Sequence, residues 1–306
     1  MIDADASFDG TWPFAPRFCT AAGFCQHYVD EGAGRPVVLL HGQPTWGYIW
    51  RRFIPALAAT HRVVVPDHMG FGKSETPQSE EYTLRTHVRN LAALIEHLDL
   101  RDVTLVMQDW GGPIGIGYAA RHPERVHSLV VMNTVCGYGT IGRRDLPNPL
   151  ETPWFSWIRE GLQSGRTQTV LSQLGSTILS VMQIVGLERL DRVDAAFLRA
   201  YAAPFPTPES CKGAIAFPLD LALGRARDFV REGMAGVPAL KAKPAFMIEG
   251  MRDRAIPAAL AIADFQGLWP DAPLIRVPEA GHYLQEDAPE TVVPLVQAAL
   301  ALFDRG

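Results

Sequence analysis

Six short apolar runs recur along the chain: VVLL at 37–40, VVV at 63–65, VTLVM at 103–107, LVVM at 129–132, AFMI at 245–248 and PLIRV at 273–277. Several are continuous rather than alternating, the pattern of strands covered on both faces. Between them the period changes. Leu84, Val88, Leu91, Leu94, Ile95 and Leu98 share one face at 3.6 residues per turn, which predicts an amphipathic helix. Strand and helix in alternation predict a three-layer α/β core, a mostly parallel central sheet flanked by helices and joined by right-handed crossovers. The rhythm stops between about Cys136 and Gly224, where helical patterns, many prolines, Trp154 and Trp157 occur without a convincing strand. It resumes at AFMI and closes with a helix from about Pro289 to Phe303. The expected organisation is a core of residues 1–135 and 225–306 with a helical insertion at 136–224. Such an insertion can cover the carboxyl edge of the sheet, where open α/β folds bind ligands. It is read as a cap.

Composition narrows the partners. Lys plus Arg total 28 against 33 for Asp plus Glu, a formal charge of −5, with no basic cluster to follow a phosphate backbone. That balance argues against nucleic acid. The start, MIDADASFDGTWPFAPRF, has acids where a signal peptide needs basic residues, and no segment reaches the roughly 18 apolar residues of a membrane span. A soluble, cytoplasmic protein with no membrane partner is expected, monomeric or weakly oligomeric. Cys19, Cys25, Cys136 and Cys211 show no CxxC spacing, against a zinc site or disulfide framework and in favour of idle thiols.

Candidate chemistry lies at the strand ends. Gln108-Asp109-Trp110-Gly111-Gly112 has the small residues of a tight strand-to-helix elbow, with Asp109 where the G-x-S-x-G pattern places a serine nucleophile. EGMRDR after AFMI puts Asp253 just beyond a strand, and PEAGHYLQE after PLIRV does the same for His282. Singly, each has a bland reading: a turn former or helix cap for the aspartates, a loop residue for the histidine. Together, in the order nucleophile, acid, histidine, they match the chain order of the α/β-hydrolase triad. Other features weigh less. Asp67 to Ser74, DHMGFGKS, ends like a phosphate loop but has Asp67 where the first glycine is required. His41, His68, His87 and His97 lack metal-ligand spacing and read as loop or surface histidines. Tyr201 reads as packing at the base of the cap more readily than as a proton donor.

A serine must lose its proton to attack, whereas an aspartate, with a reference pKa of about 3.9, is already charged at neutral pH. Its natural targets are saturated carbons bearing a leaving group, such as a carbon–halogen bond or an epoxide. Attack leaves an ester on Asp109, which water activated by His282 hydrolyses while Asp253 steadies the imidazole. Charge gathers first on the leaving atom, where the indole N–H of Trp110 is a donor that cannot itself take up charge. It gathers next on the aspartyl oxygen, where the backbone N–H groups of Gln43 and Trp110 are the expected oxyanion hole. The Gln43 side chain, in His41-Gly42-Gln43-Pro44, is a further candidate donor to the leaving group. Losing one such donor typically costs about 3 to 4 kcal/mol of barrier.

The chain resembles the haloalkane dehalogenases of the α/β-hydrolase superfamily. The resemblance is carried by LLHGQPTWGYIWRR (39–52), DHMGFGKS (67–74), QDWGGPIG (108–115), VVMNTV (130–135), AYAAPFP (200–206), EGMRDR (249–254) and AGHYLQE (280–286). It implies an α/β-hydrolase fold with a cap, a haloalkane substrate, a halide product and no cofactor or metal. It also implies Asp109 as nucleophile, Trp110 as halide donor and His282 as base. One branch takes its acid as glutamate after the sixth strand, where Asn133 stands here, so the likeness is to the branches with the acid after the seventh, at Asp253. Gln43 stands where many members have asparagine, and members lacking it use a cap tryptophan, leaving Gln43, Trp154 and Trp157 as alternatives for the second donor. An epoxide hydrolase would share the triad but needs cap tyrosines, for which Tyr201 is the candidate. A small-molecule receptor and a cofactor-free monooxygenase on the same fold are the remaining readings, separable by turnover and by oxygen uptake.

Overall fold

The computed structural model describes residues 2–141, 145–146 and 151–305. Of the expected insertion, residues 142–144 and 147–150 lie outside the described residues. Eight strands form one sheet: β1 (Arg17–Cys19), β2 (Gln26–Glu31), β3 (Pro36–Leu40), β4 (Arg62–Pro66), β5 (Val103–Gln108), β6 (Val126–Met132), β7 (Ala245–Gly250) and β8 (Leu274–Val277). Their order is β1-β2-β4-β3-β5-β6-β7-β8, antiparallel at β1/β2 and β2/β4 and parallel elsewhere. All six apolar runs are strands. Every residue of β5 and β7 is buried, and full burial of each Val, Leu or Ile contributes about 1.5–3 kcal/mol.

Two features differ from the apolar pattern. QHYVDE forms β2 although Gln26 and His27 are polar, because both are buried against the loop after β4. Gln26 Nε2 donates to Asp67 O at 3.2 Å, and His27 Nδ1 lies 2.7 Å from Asp67 Oδ2. At the other edge the consecutive residues Ile275 and Arg276 of β8 are both exposed, so this edge strand is open to solvent on each face at that point and carries a charge.

Helices α1 (Ile54–Ala58), α2 (Leu84–His97) and α3 (Gly111–Ala119) join the first strands. α2 starts at Thr83, whose hydroxyl accepts from Thr86 N at 3.2 Å, a normal N-cap, and buries the apolar face read from the sequence. Between Met132 and Ala245 no strand occurs among the described residues. That stretch holds α4 (Pro153–Ser164), α5 (Arg166–Leu171), α6 (Leu174–Val185), α7 (Ala195–Ala202), α8 (Lys212–Ala222), α9 (Arg225–Glu232) and α10 (Val237–Lys241). α11 (Ala258–Leu268), α12 (Leu284–Asp287) and α13 (Pro289–Phe303) complete the core. No helix is long and apolar enough to cross a membrane.

Where the chain leaves β6, a buried carboxylate fixes it. Asp264 of α11 accepts the backbone N–H groups of Cys136, Gly137, Gly139 and Thr140 at 2.5–3.0 Å, and the Thr140 hydroxyl at 3.2 Å. Cys136 is buried and the other three are half-buried; leaving a buried donor unsatisfied costs about 1–3 kcal/mol. The parallel strands deliver Gln43, Asp109, Asn133, Asp253 and His282 to one carboxyl edge.

Candidate active site

Asp109 occupies the turn between β5 and α3 with φ of +50°, a left-handed conformation that costs a non-glycine residue energy and is held only by its surroundings. Two of its neighbours must be small. A Cβ on Gly42 would meet the Asp109 carboxylate, and one on Gly112 would meet the Thr134 side chain. Thr134 Oγ1 in turn donates to Asp109 O at 2.5 Å. Asp109 Oδ1 accepts Gln43 N at 2.7 Å, and Oδ2 lies 3.3 Å from His282 Nε2.

The His282 side chain is fully buried, with Nδ1 2.8 Å from Asp253 Oδ2. Asp253 Oδ1 accepts Ala255 N and Ile256 N, both at 2.8 Å. Nε2 has no aligned hydrogen-bond partner among the described residues, so its contact with Asp109 is one of charge. Burial works against the imidazolium, but the Asp253 and Asp109 carboxylates outweigh it and His282 is pushed up to about 10. Glu249, near the end of β7, is buried with no hydrogen-bond partner for its carboxyl oxygens among the described residues. Burial raises it well above the usual carboxylate range, and Asp253 nearby adds to the shift.

Asn133 was read only as the place of a missing glutamate. It takes φ of +39° and knots the site together. Its Nδ2 donates to Asp253 Oδ2 at 2.8 Å, Gly281 O at 3.1 Å and Gly250 O at 3.2 Å, while its Oδ1 accepts Gly250 N at 2.7 Å. A glutamate could accept there but not donate. Gln108 adds a bond from Nε2 to His282 O at 3.0 Å. The only sequence signal for either was a polar residue closing an apolar strand.

A largely apolar cavity of about 150 Å³ opens on Asp109, Trp110, Gln43 and Thr134, with walls that include Trp154, Phe155, Val185, Leu221, Phe229 and Ile256. Trp110 stacks on Phe217 with centroids 4.6 Å apart and planes 12° from parallel. Gln43 faces the same cavity, but its Nε2 donates to Ala214 O of α8 at 3.2 Å. Of the two insertion tryptophans, Trp154 lines the cavity, and Trp157 stacks on it with centroids 5.5 Å apart. Tyr201 is buried away from the cavity, its hydroxyl donating to Glu286 Oε1 at 2.5 Å. The same Glu286 carboxylate holds Arg51 and Arg52. The tyrosine on the cavity wall is Tyr138.

The histidine reading holds in part: His97 is exposed, His41 and His68 lie in loops but are buried, and His87 is a buried residue of α2. The His41 and His68 rings meet tilted by 41° with centroids 4.2 Å apart, His68 N donates to His41 Nε2 at 3.0 Å, and His68 Nε2 to His41 O at 2.9 Å. They are buried because the loops after β3 and β4 pack on each other. The DHMGFGKS loop wraps the Asp67 carboxylate, which accepts Gly47 N and Lys73 N, both at 2.8 Å. Cys19, Cys136 and Cys211 are buried, Cys25 is half-buried, and all four are free thiols.

Residues 35–289 match the α/β-hydrolase fold family. A cis-3-alkyl-4-alkyloxetan-2-one decarboxylase of Shewanella oneidensis is 33% identical over 93% of this chain and 88% of its own length. Haloalkane dehalogenase 1 of Mycobacterium bovis is 36% identical over 90% of each chain. Among solved structures, haloalkane dehalogenase DatA of Agrobacterium tumefaciens superimposes with a TM-score of 0.79 at 29% identity, covering 94% of this chain and 96% of that one. On sequence and architecture alike, the chain belongs to the haloalkane dehalogenase family of the α/β-hydrolase fold.

Proposed function

We propose that the protein is a haloalkane dehalogenase, converting a haloalkane and water to an alcohol, a halide and a proton through an ester on Asp109. The observation that carries this reading is the position of Asp109, a carboxylate on the wall of a largely apolar cavity with Trp110 beside it and His282 Nε2 at 3.3 Å. In the first step one carboxylate oxygen attacks the halogen-bearing carbon, the carbon–halogen bond breaks and its electron pair leaves with the halide. The apolar walls exclude water, which strengthens each remaining donor to the departing anion. Trp110 is one such donor. Trp154, on the cavity wall, is the second, since one of the two N–H groups of the Gln43 amide is already spent on Ala214 O of α8 and fixes the direction of the other.

In the second step His282 takes a proton from water, whose oxygen attacks the aspartyl carbonyl carbon. Gln43 N, already on Asp109 Oδ1, is in place for the charge that develops there, with Trp110 N beside it. Esterification removes one of the two negative charges that raise His282, so the imidazole gives up a proton more readily after displacement than before. Residues 136–224 act as the cap over the core of 1–135 and 225–306. The cavity wall continues past that boundary through Ala226 and Phe229 of α9.

A second reading rests on relatives named as oxetanone decarboxylases, 33% and 32% identical to this chain. Alkene and carbon dioxide from a cis-3-alkyl-4-alkyloxetan-2-one, with no halide from 1-bromobutane, would favour it. The epoxide reading loses its candidate donor, since Tyr201 is bonded to Glu286.

His282→Ala is expected to release one halide per protein molecule and stop, with the mass of the butyl ester on the peptide containing residue 109, because displacement does not need the imidazole. No adduct after incubation with 1-bromobutane would contradict the mechanism. For the halide, Trp110→Phe and Trp154→Phe should each raise the inhibition constant for bromide about tenfold or more, and Trp157→Phe should not. Equal effects at 154 and 157 would remove Trp154 from the site.

The His282 charge also sets a pH dependence. A base raised in the folded state stabilises the fold fully below its ordinary value of 6.5, and that contribution is lost as pH rises through about 10. The stability advantage of the wild type over His282→Gln, read from urea melts, should therefore shrink across that window. A constant or growing advantage would show that the imidazole is not held charged.

A further inference from the structure

Asp287 closes α12, five residues beyond His282, and is buried without lining the cavity. Its two oxygens divide their work. Oδ2 accepts Gly281 N at 2.8 Å, next to the base, while Oδ1 accepts Glu188 N at 2.9 Å and Arg189 N at 3.0 Å from the insertion. The neighbouring insertion residues reach the same loops. Gly186 O accepts His282 N at 2.9 Å, and Val185 O accepts Arg254 N at 3.2 Å, one residue past the acid.

We propose that Asp287 is a positioning residue for the base: by binding Gly281 and the 188–189 backbone to one carboxylate, it seats the His282 loop against the helical insertion. On this account the insertion is part of the scaffold of the hydrolytic step as well as a cover for the cavity. The inference rests on the ester mechanism proposed above, in which His282 acts only in the second step. Displacement uses Asp109 and the halide donors, none of which Asp287 touches. Loss of the clamp therefore slows hydrolysis and spares displacement, a split that mere loss of stability would not produce.

Two substitutions test the clamp from opposite sides. In Asp287→Asn an amide offers one accepting oxygen where the carboxylate had two, so it can hold Gly281 or the 188–189 pair but not both. Gly186 has φ of +136°, and a Cβ there would lie 3.0 Å from His282 N, so Gly186→Ala pushes on the same loop from the insertion. Rapid-quench kinetics of the full-length protein with 1-bromobutane, with intact-mass analysis of the quenched protein, read both steps. Each folded variant should release its first halide within about twofold of the wild-type rate, then hydrolyse at least about tenfold more slowly, with ester accumulating on the 109 peptide. Should Asp287→Asn fail to fold, Gly186→Ala reads the same split. If His282→Ala accumulates ester and neither variant does, or if both steps slow equally, the positioning role is overturned. If His282→Ala also gains none, the ester mechanism itself has failed.

Discussion

One buried imidazole shared by two carboxylates is the constraint around which the carboxyl edge of the sheet is built. Taking charges out of water costs several kcal/mol per ion, recovered only when partners and hydrogen bonds are well placed. Asp253 meets this with four donors, the His282 Nδ1–H, the Asn133 amide and the N–H groups of Ala255 and Ile256. Asp109 has one backbone donor and one charge contact, and an open side facing the cavity. In the proposed mechanism that inequality gives the two aspartates different work: the fully bonded one is the fixed counter-charge, and the under-bonded one forms the bond to carbon. When it does so its charge disappears, and the imidazole sheds its proton more readily, so that the neutral form is present at the step in which a base is required.

Such geometry must survive in loops, and the loops are held by side chains that bind backbone. Asn133 ties β6 to β7 and to the His282 loop, Asp287 ties that loop to the insertion, and Asp264 ties the start of the insertion to α11. In each case a buried side chain satisfies N–H groups that irregular backbone would leave unpaired. The insertion and the core are thus joined through directional bonds at several points. Loops tied down in this way suit a reaction sensitive to misplacements of about 1 Å.

The six strands and the long α2 and α13 helices were legible because burial on two faces, or on one helical stripe, leaves an apolar signature. β2 was not, since Gln26 and His27 are buried by hydrogen bonds to the loop after β4, a partner no local pattern reveals. Asp109, Asp253 and His282 were legible as three residues at three strand ends in a fixed order, and the structure brings all three into contact. His41 and His68 do lie in loops, but their burial between two loops has no local signature; His87 was misread, since it falls on the buried face of α2, three residues after Leu84. The choice between Gln43 and a tryptophan could not be made from spacing. The bond that orients the Gln43 amide goes to Ala214, 171 residues away, beyond any local pattern. Asn133 and Asp287 were invisible for the same reason, as both act on backbone brought near by folding.

The central claim is that the oxygen delivered to product comes from the Asp109 carboxylate, which water then replenishes. A single turnover of 1-bromobutane by excess protein in ¹⁸O-water should give butanol without the label and place it in the peptide that contains residue 109. Labelled butanol from that first turnover, with the carboxylate unlabelled, would mean that water attacks the carbon directly, and the account would be wrong.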